Sequence, residues 1–246
     1  FYDFQSKQTV PVCNKPDCPH TDPAQCSAYV QDPGFIAYGE YLYYFVTESA
    51  ENTEIFRTDA DGSHRIKIAQ DKISSPSRII AANQRLYYMA TNIVYDVDGS
   101  GVSSGQVIHC LDLQTNQVSP LMNAENDPDD YPMLMGVKGN HLFFLEFQGN
   151  PEEALPFEMV FSLGALDLTT GEKKVLKQTP NCCNDYFNRT GFYFLEKRTD
   201  NRYDVQKIDF DTLEIRTLFT TEESIMFLNA FDDKIVFYPI AQGSAT

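Results

Sequence analysis

The chain has only four histidines and little basic charge, and each shortage argues against a class of function. Lys and Arg number 19 against 35 Asp and Glu, for a formal net charge of −16. Nucleic acid is bound by a basic stripe that neutralises phosphates, and no such stripe is present, so we expect no nucleic-acid partner. An anionic membrane surface is disfavoured on the same ground. Long hydrophobic runs are missing too. The stretch from Tyr41 to Val46 falls far short of the about 20 apolar residues that span a bilayer. No signal peptide is visible, and a chain beginning at Phe1 rather than Met leads us to expect a segment upstream.

What the chain does have is aromatic mass and a repeat. Its 18 Phe and 14 Tyr suffice for a sizeable core, and the composition is that of a folded domain. An apolar cluster recurs after a short turn: Tyr41-Leu42-Tyr43-Tyr44-Phe45, Arg85-Leu86-Tyr87-Tyr88-Met89 and His141-Leu142-Phe143-Phe144-Leu145. It returns at Gly191-Phe192-Tyr193-Phe194-Leu195 and Lys234-Ile235-Val236-Phe237-Tyr238, with steps of roughly 43–56 residues. The first four clusters are each followed by an alternating segment that ends in Asp59, Asp112, Asp167 or Asp209. A turn rich in Gly, Asn, Asp or Thr comes next, then one more strand.

Each repeat therefore reads as four strands, here A to D in chain order. The B strands are continuous apolar runs, as expected where both faces of a sheet are covered. A four-strand unit of this length repeated in series predicts an all-β fold, a β-propeller of four-stranded blades. A sandwich would not demand such regular recurrence of one unit. We expect one propeller domain over residues 1–246, with full blades at 34–69, 78–122, 133–177 and 184–219. Residues 1–12 match strands C and D and residues 225–246 match A and B, so two half-blades flank the four. They are complementary in phase, as in a closed five-bladed ring, which would leave no sheet edge. A fragment of a larger propeller is the equal alternative.

The segment Ile55-Phe56-Arg57-Thr58-Asp59-Ala60-Asp61-Gly62-Ser63 resembles the blade repeat of TolB-type propellers. The chain as a whole, with Cys13-Asn14-Lys15-Pro16-Asp17-Cys18-Pro19-His20 leading into the first full blade, is similar to secreted propeller lipoproteins of bacteria. The other blades carry Gln-Thr-Asn, Thr-Thr-Gly or Asp-Thr turns instead, a departure from the TolB pattern. The resemblance implies an extracytoplasmic binding or scaffold role, either secreted or anchored through an upstream segment, and implies no reaction.

Candidate sites fall on the connections. The A–B and C–D turns are short, while the long B–C and D–A connections are expected at 13–33, 92–105, 123–132, 148–159 and 178–183. In an up-and-down blade those two kinds emerge at the same end, where binding loops usually sit. Residues 13–33 form a Cys-rich loop in which Cys13, Cys18, His20 and Cys26 make up a complete zinc set. Disulfides are the competing reading, favoured in an oxidising compartment, and Cys182 and Cys183 on another such loop could pair with each other or with the Cys-rich loop. Cys110, inside a C strand, reads as a buried thiol.

Acidic residues mark the candidate binding face: Asp127, Asp129 and Asp130 in one loop, Asp96 and Asp98 in another, and Asp185 on an A strand. Asp96 and Asp98 partly imitate a calcium loop but have Val107 where a bidentate Glu is needed, so calcium is not expected. No cofactor is otherwise implied.

Catalysis lacks its parts. His109 and Cys110 are neighbours on a strand, so their side chains point to opposite faces. His64 sits at a turn and His141 opens a B strand. A propeller glycosidase needs converging carboxylates, and the expected A strands supply only Asp185, with Asp130 as a loop candidate. We expect a non-enzymatic, extracytoplasmic propeller that binds a protein or glycan through its long-loop face. A propeller-fold glycoside hydrolase or lyase, and a structural repeat domain of a larger surface protein, are the alternatives.

Overall fold

Aromatic and β-branched side chains fill the repeated clusters, and in the computed structural model every one of these clusters is a strand. The structure describes residues 2–3, 7–9, 17–18, 26, 35–49, 51–95, 101–122, 131–148, 160–179, 182–188, 190–222, 225–230 and 234–239. Four four-stranded antiparallel sheets follow one another along the chain, each hydrogen-bonded in sequence order. They are β3–β6 (Phe35–Tyr38, Tyr41–Ser49, Asn52–Asp59, Ile66–Asp71) and β7–β10 (Ser74–Ala82, Arg85–Tyr95, Gly101–Asp112, Gln117–Met122). Then come β11–β14 (Tyr131–Lys138, His141–Gln148, Val160–Asp167, Lys173–Thr179) and β15–β18 (Cys182–Phe187, Phe192–Lys197, Tyr203–Ile208, Ile215–Thr221). Two-stranded sheets stand before and after them: β1–β2 (Tyr2–Asp3, Gln8–Thr9) and β19–β20 (Ile225–Ala230, Ile235–Pro239). The sheets are the blades of a β-propeller.

Two compact units divide the chain, Phe1–Pro128 and Asp129–Thr246. In the first, blade β3–β6 contributes Tyr43, Phe45 and Ile55 to a core completed by Leu86, Tyr88, Ala90, Val107 and Leu111 of blade β7–β10. Phe45 meets Tyr88 edge to face with centroids 4.9 Å apart. The spacing of two along β4 is the pleat at work: Tyr43 and Phe45 face the next blade, while Leu42, Tyr44 and Val46 are buried on the other side. That double burial is why the B strands are apolar without interruption.

The second unit repeats the scheme. Phe143, Leu145, Leu163 and Ala165 pack against Phe192, Phe194, Ile208 and Phe210 of the following blade. On that blade's other face Tyr193, Leu195 and Val205 meet Ile235 of β20. Each fully buried Phe adds about 1.5–3 kcal/mol relative to an exposed one, so these rings dominate cohesion. Register shifts recur at corresponding points of the blades. They fall between Ile55 and Phe56, Leu163 and Gly164, and Val205 and Gln206 in the C–D pairs. Such bulges increase the local twist that propeller blades need.

Two expected loops are shorter than their sequence suggests. The 92–105 connection is strand as far as Tyr95 and again from Gly101. The 178–183 connection is strand up to Thr179 and from Cys182, which places Cys182 and Cys183 in β15 rather than in a loop. The reason is ladder pairing: Cys182 lies opposite Glu196 and Cys183 opposite Leu195, so the backbone gains hydrogen bonds that a loop would forgo.

Candidate functional site

The long-loop end of the blades is only partly described. Cys13, His20, Asp96, Asp98, Asp127, Asp129 and Asp130 lie outside the described residues. Asp185 is in β15, opposite Phe194 just past a register shift. Cys18 is half-buried, whereas Cys26 is buried against the first full blade. The Tyr44 phenol has its pKa raised by burial, with Arg65 opposing and Cys26 adding to the shift. Arg65 covers the stacked rings of Tyr44 and Phe56. Among the described residues no group of three His, Cys, Asp or Glu is placed to hold a metal ion.

The opposite end is closed by Asp-capped turns. Asp112 Oδ1 accepts the backbone N–H groups of Gln114 and Thr115, and Asp167 Oδ1 those of Thr169 and Thr170. Asp209 does the same for Asp211 and Thr212. These amides hold all three carboxyls below the usual carboxylate range. The turns close through residues in the left-handed region, Asn116, Gly171 and Leu213. The Asp that ends each C strand is therefore a turn device.

Polar side chains inside the blades are joined to one another. Asp71, on the last strand of blade β3–β6, accepts the Tyr88 hydroxyl at 2.7 Å and bonds His109 Nδ1 at 2.8 Å, both through Oδ2. Burial first, and then the charge of Asp71, push the Tyr88 phenol up, so it stays a donor. The second unit has a counterpart. Lys177, on β14, donates to Glu196 at 2.6 Å and to Gln206 at 2.9 Å, and Gln206 donates to Glu196 at 2.8 Å. His109 lies opposite Tyr88 in its ladder as Gln206 lies opposite Phe194, so both are C-strand residues that reach the last strand of the blade before. Sequence reasoning placed His109 on a strand but gave it no partner, although a polar residue spaced by two from Val107 and Leu111 signals an inward-facing group that needs one.

Among the described residues Ser63, His64 and Asp59 form a Ser-His-Asp group, and it has the wrong geometry. Ser63 Oγ, at 3.2 Å, and Asp59 Oδ2, at 2.7 Å, both address His64 Nδ1, whereas a triad uses the two ring nitrogens separately. His64 is 82% exposed. His109 and Cys110 face opposite sides of β9, as the pleat requires: His109 turns to Asp71, while Cys110 lies beside Arg85. A cavity of about 180 Å³ at the short-turn end of the second unit is lined by His141, Ala165, Asp167, Glu172, Lys174 and Leu213.

No protein-family model and no curated protein matches this chain. Solved structures do. A prolyl endopeptidase superposes with a TM-score of 0.59 at 12% identity, over 82% of this chain and 31% of that one. An oligogalacturonate lyase in complex with manganese gives 0.50 at 13% identity, over 79% of this chain and 54% of that one. A puromycin hydrolase also gives 0.50 at 13% identity, over 83% of this chain and 32% of that one. The chain spans about a third of the endopeptidase and hydrolase chains and about half of the lyase chain. At these identities the likeness is one of fold, that of β-propeller domains.

Proposed function

We propose that this chain is a non-enzymatic, extracytoplasmic β-propeller that binds a protein or glycan through its long-loop end. The observation that carries the reading is the one-sidedness of the blades. Within each blade the long connections follow strand B or strand D, while the C–D turns are short and capped by Asp112, Asp167 or Asp209. Long loops gathered at one end of a packed blade are the usual arrangement of a binding face. The buried carboxylates Asp71, Glu146 and Asp204 are tied to His109, Lys173 and Arg198, which supports a scaffold over a reaction centre. The TolB-like blade repeat and the likeness to secreted bacterial propeller lipoproteins support the extracytoplasmic placement.

The test is a glycan array and a panel of cell-surface proteins probed with the full chain and two variants. One variant carries Asp127, Asp129 and Asp130 changed to Asn. The other carries Glu172→Gln and Lys174→Met at the short-turn end. The reading predicts a ligand whose binding is lost in the first variant and kept in the second. Turnover of a glycan panel that disappears in both Asp185→Asn and Asp130→Asn would replace it with the propeller hydrolase or lyase.

A further inference from the structure

The cavity lined by His141, Ala165, Asp167, Glu172, Lys174 and Leu213 is at the end opposite the proposed binding face, and its chemistry is distinct. It is a small cavity of about 180 Å³ that opens to solvent, a size suited to a small ligand. Both signs of charge line it. Lys173 and Lys177 on the same strand are paired with Glu146 and Glu196, whereas Lys174 and Glu172 enter no ion pair among the described residues. Their heads are left for a ligand.

Asp167 adds a fixed carboxylate. Its Oδ1 accepts Thr169 N–H, Thr170 N–H and Asn140 Nδ2, which locks the group at the rim. His141 stands opposite Asp167 in the β12–β13 ladder and supplies a ring nitrogen. Ala165 and Leu213 give the site an apolar surface. Leu213 is held at a φ of 59°, a left-handed conformation that a leucine rarely adopts, and packs partly buried against the core while lining the cavity. The same left-handed position closes the corresponding turns at Asn116 and Gly171, so the turn of the following blade is what carries Leu213 to the cavity.

We propose that this cavity binds a small zwitterion, an α-amino acid with an aliphatic side chain. Glu172 and Asp167 receive the ammonium, Lys174 and His141 receive the carboxylate, and the aliphatic group lies on Ala165 and Leu213. The site does not depend on the binding face at the other end.

Isothermal titration calorimetry of the full chain with L-leucine, leucinamide and N-acetyl-leucine tests this. Leucine binds saturably, N-acetyl-leucine does not bind, and leucinamide binds more weakly. Lys174→Met weakens leucine at least about tenfold and changes leucinamide little, whereas Glu172→Gln weakens both. Both side chains are exposed, so the variants keep the wild-type melting temperature. Should either fail to fold, the three ligands on wild-type protein still decide the matter. The absence of saturable heat with leucine, or affinities untouched by both substitutions, overturns the proposal. Equal affinity for leucine and leucinamide overturns it in favour of a peptide amino terminus.

Discussion

The ring of Phe187, on the first strand of one blade, covers Gly136 on the first strand of the blade before it, at the place where a Cβ would stand. Phe187 is also packed at 5.8 Å from Phe143 and 4.9 Å from Phe210, so it cannot swing aside without breaking the core of the second unit. The glycine is the space that lets two blades approach. Gly164 has the same relation to the Phe144 ring across the β12–β13 ladder.

Gly136→Ala and Gly164→Ala should each destabilise the protein by about 1–3 kcal/mol through overpacking, read from equilibrium urea unfolding. Phe187→Leu should reduce the cost of Gly136→Ala, because a smaller and more flexible side chain makes room. A cost for Gly136→Ala that is the same in both backgrounds would show that Phe187 is not the obstacle.

Two buried tyrosines on B strands should respond oppositely to loss of the hydroxyl. Tyr88 donates to Asp71, and Tyr88→Phe leaves a buried carboxylate with His109 as its remaining side-chain donor, at a cost of about 1–3 kcal/mol. The Tyr44 hydroxyl is buried and has no hydrogen-bond partner among the described residues, so Tyr44→Phe should be neutral or stabilising. The Phe56 stack and the Arg65 contact survive that change. A double-mutant cycle of Tyr88→Phe with His109→Gln should show a coupling of at least about 0.5 kcal/mol, since both groups share one oxygen. Additive costs would mean that the two donors act independently.

The blades were legible because their signal is local and repeated: an apolar B run, a C strand ending in Asp, and a turn. The same locality explains what was missed. Tyr88 and His109 form one inter-blade tie with Asp71, and no periodicity links residues from separate blades. Cys182 and Cys183 read as loop because they follow Pro180 and Asn181, and their pairing with Glu196 and Leu195 depends on where the next strand lies. The cavity likewise joins Leu213 to a blade that ends well before it in the chain.

Acid should loosen the Asp-capped turns. Asp112, Asp167 and Asp209 have folded pKa values below the unfolded value of about 3.9, so their contribution is complete above that pH and is lost as pH falls through the folded values. His64 runs the other way. Asp59 raises its pKa, so its smaller, exposed contribution is present below about pH 6.5 and disappears as pH rises through the folded value. Melting temperatures measured from about pH 6 to about pH 2.5 should fall steeply for wild type at the acid end. The triple change of the three aspartates to Ala should start lower and fall less, so that the curves converge. Parallel curves would mean the turns contribute no proton-linked stability.

Cys110 should be inert in the folded protein. It is 3% exposed, and burial, opposed by Arg85 and reinforced by Asp112, pushes its thiol up to about 11. The thiolate is the reactive form, so at about pH 8 the ionised fraction is on the order of one in a thousand, and the side chain is sealed from reagent as well. Iodoacetamide at that pH should leave the peptide containing Cys110 unmodified in native protein and modify it fully in urea. The native labelling rate should rise in proportion when Tyr88→Phe destabilises the first unit, if labelling requires unfolding. Fast native labelling would place Cys110 at an accessible, activated position and return a thiol-based reaction to consideration.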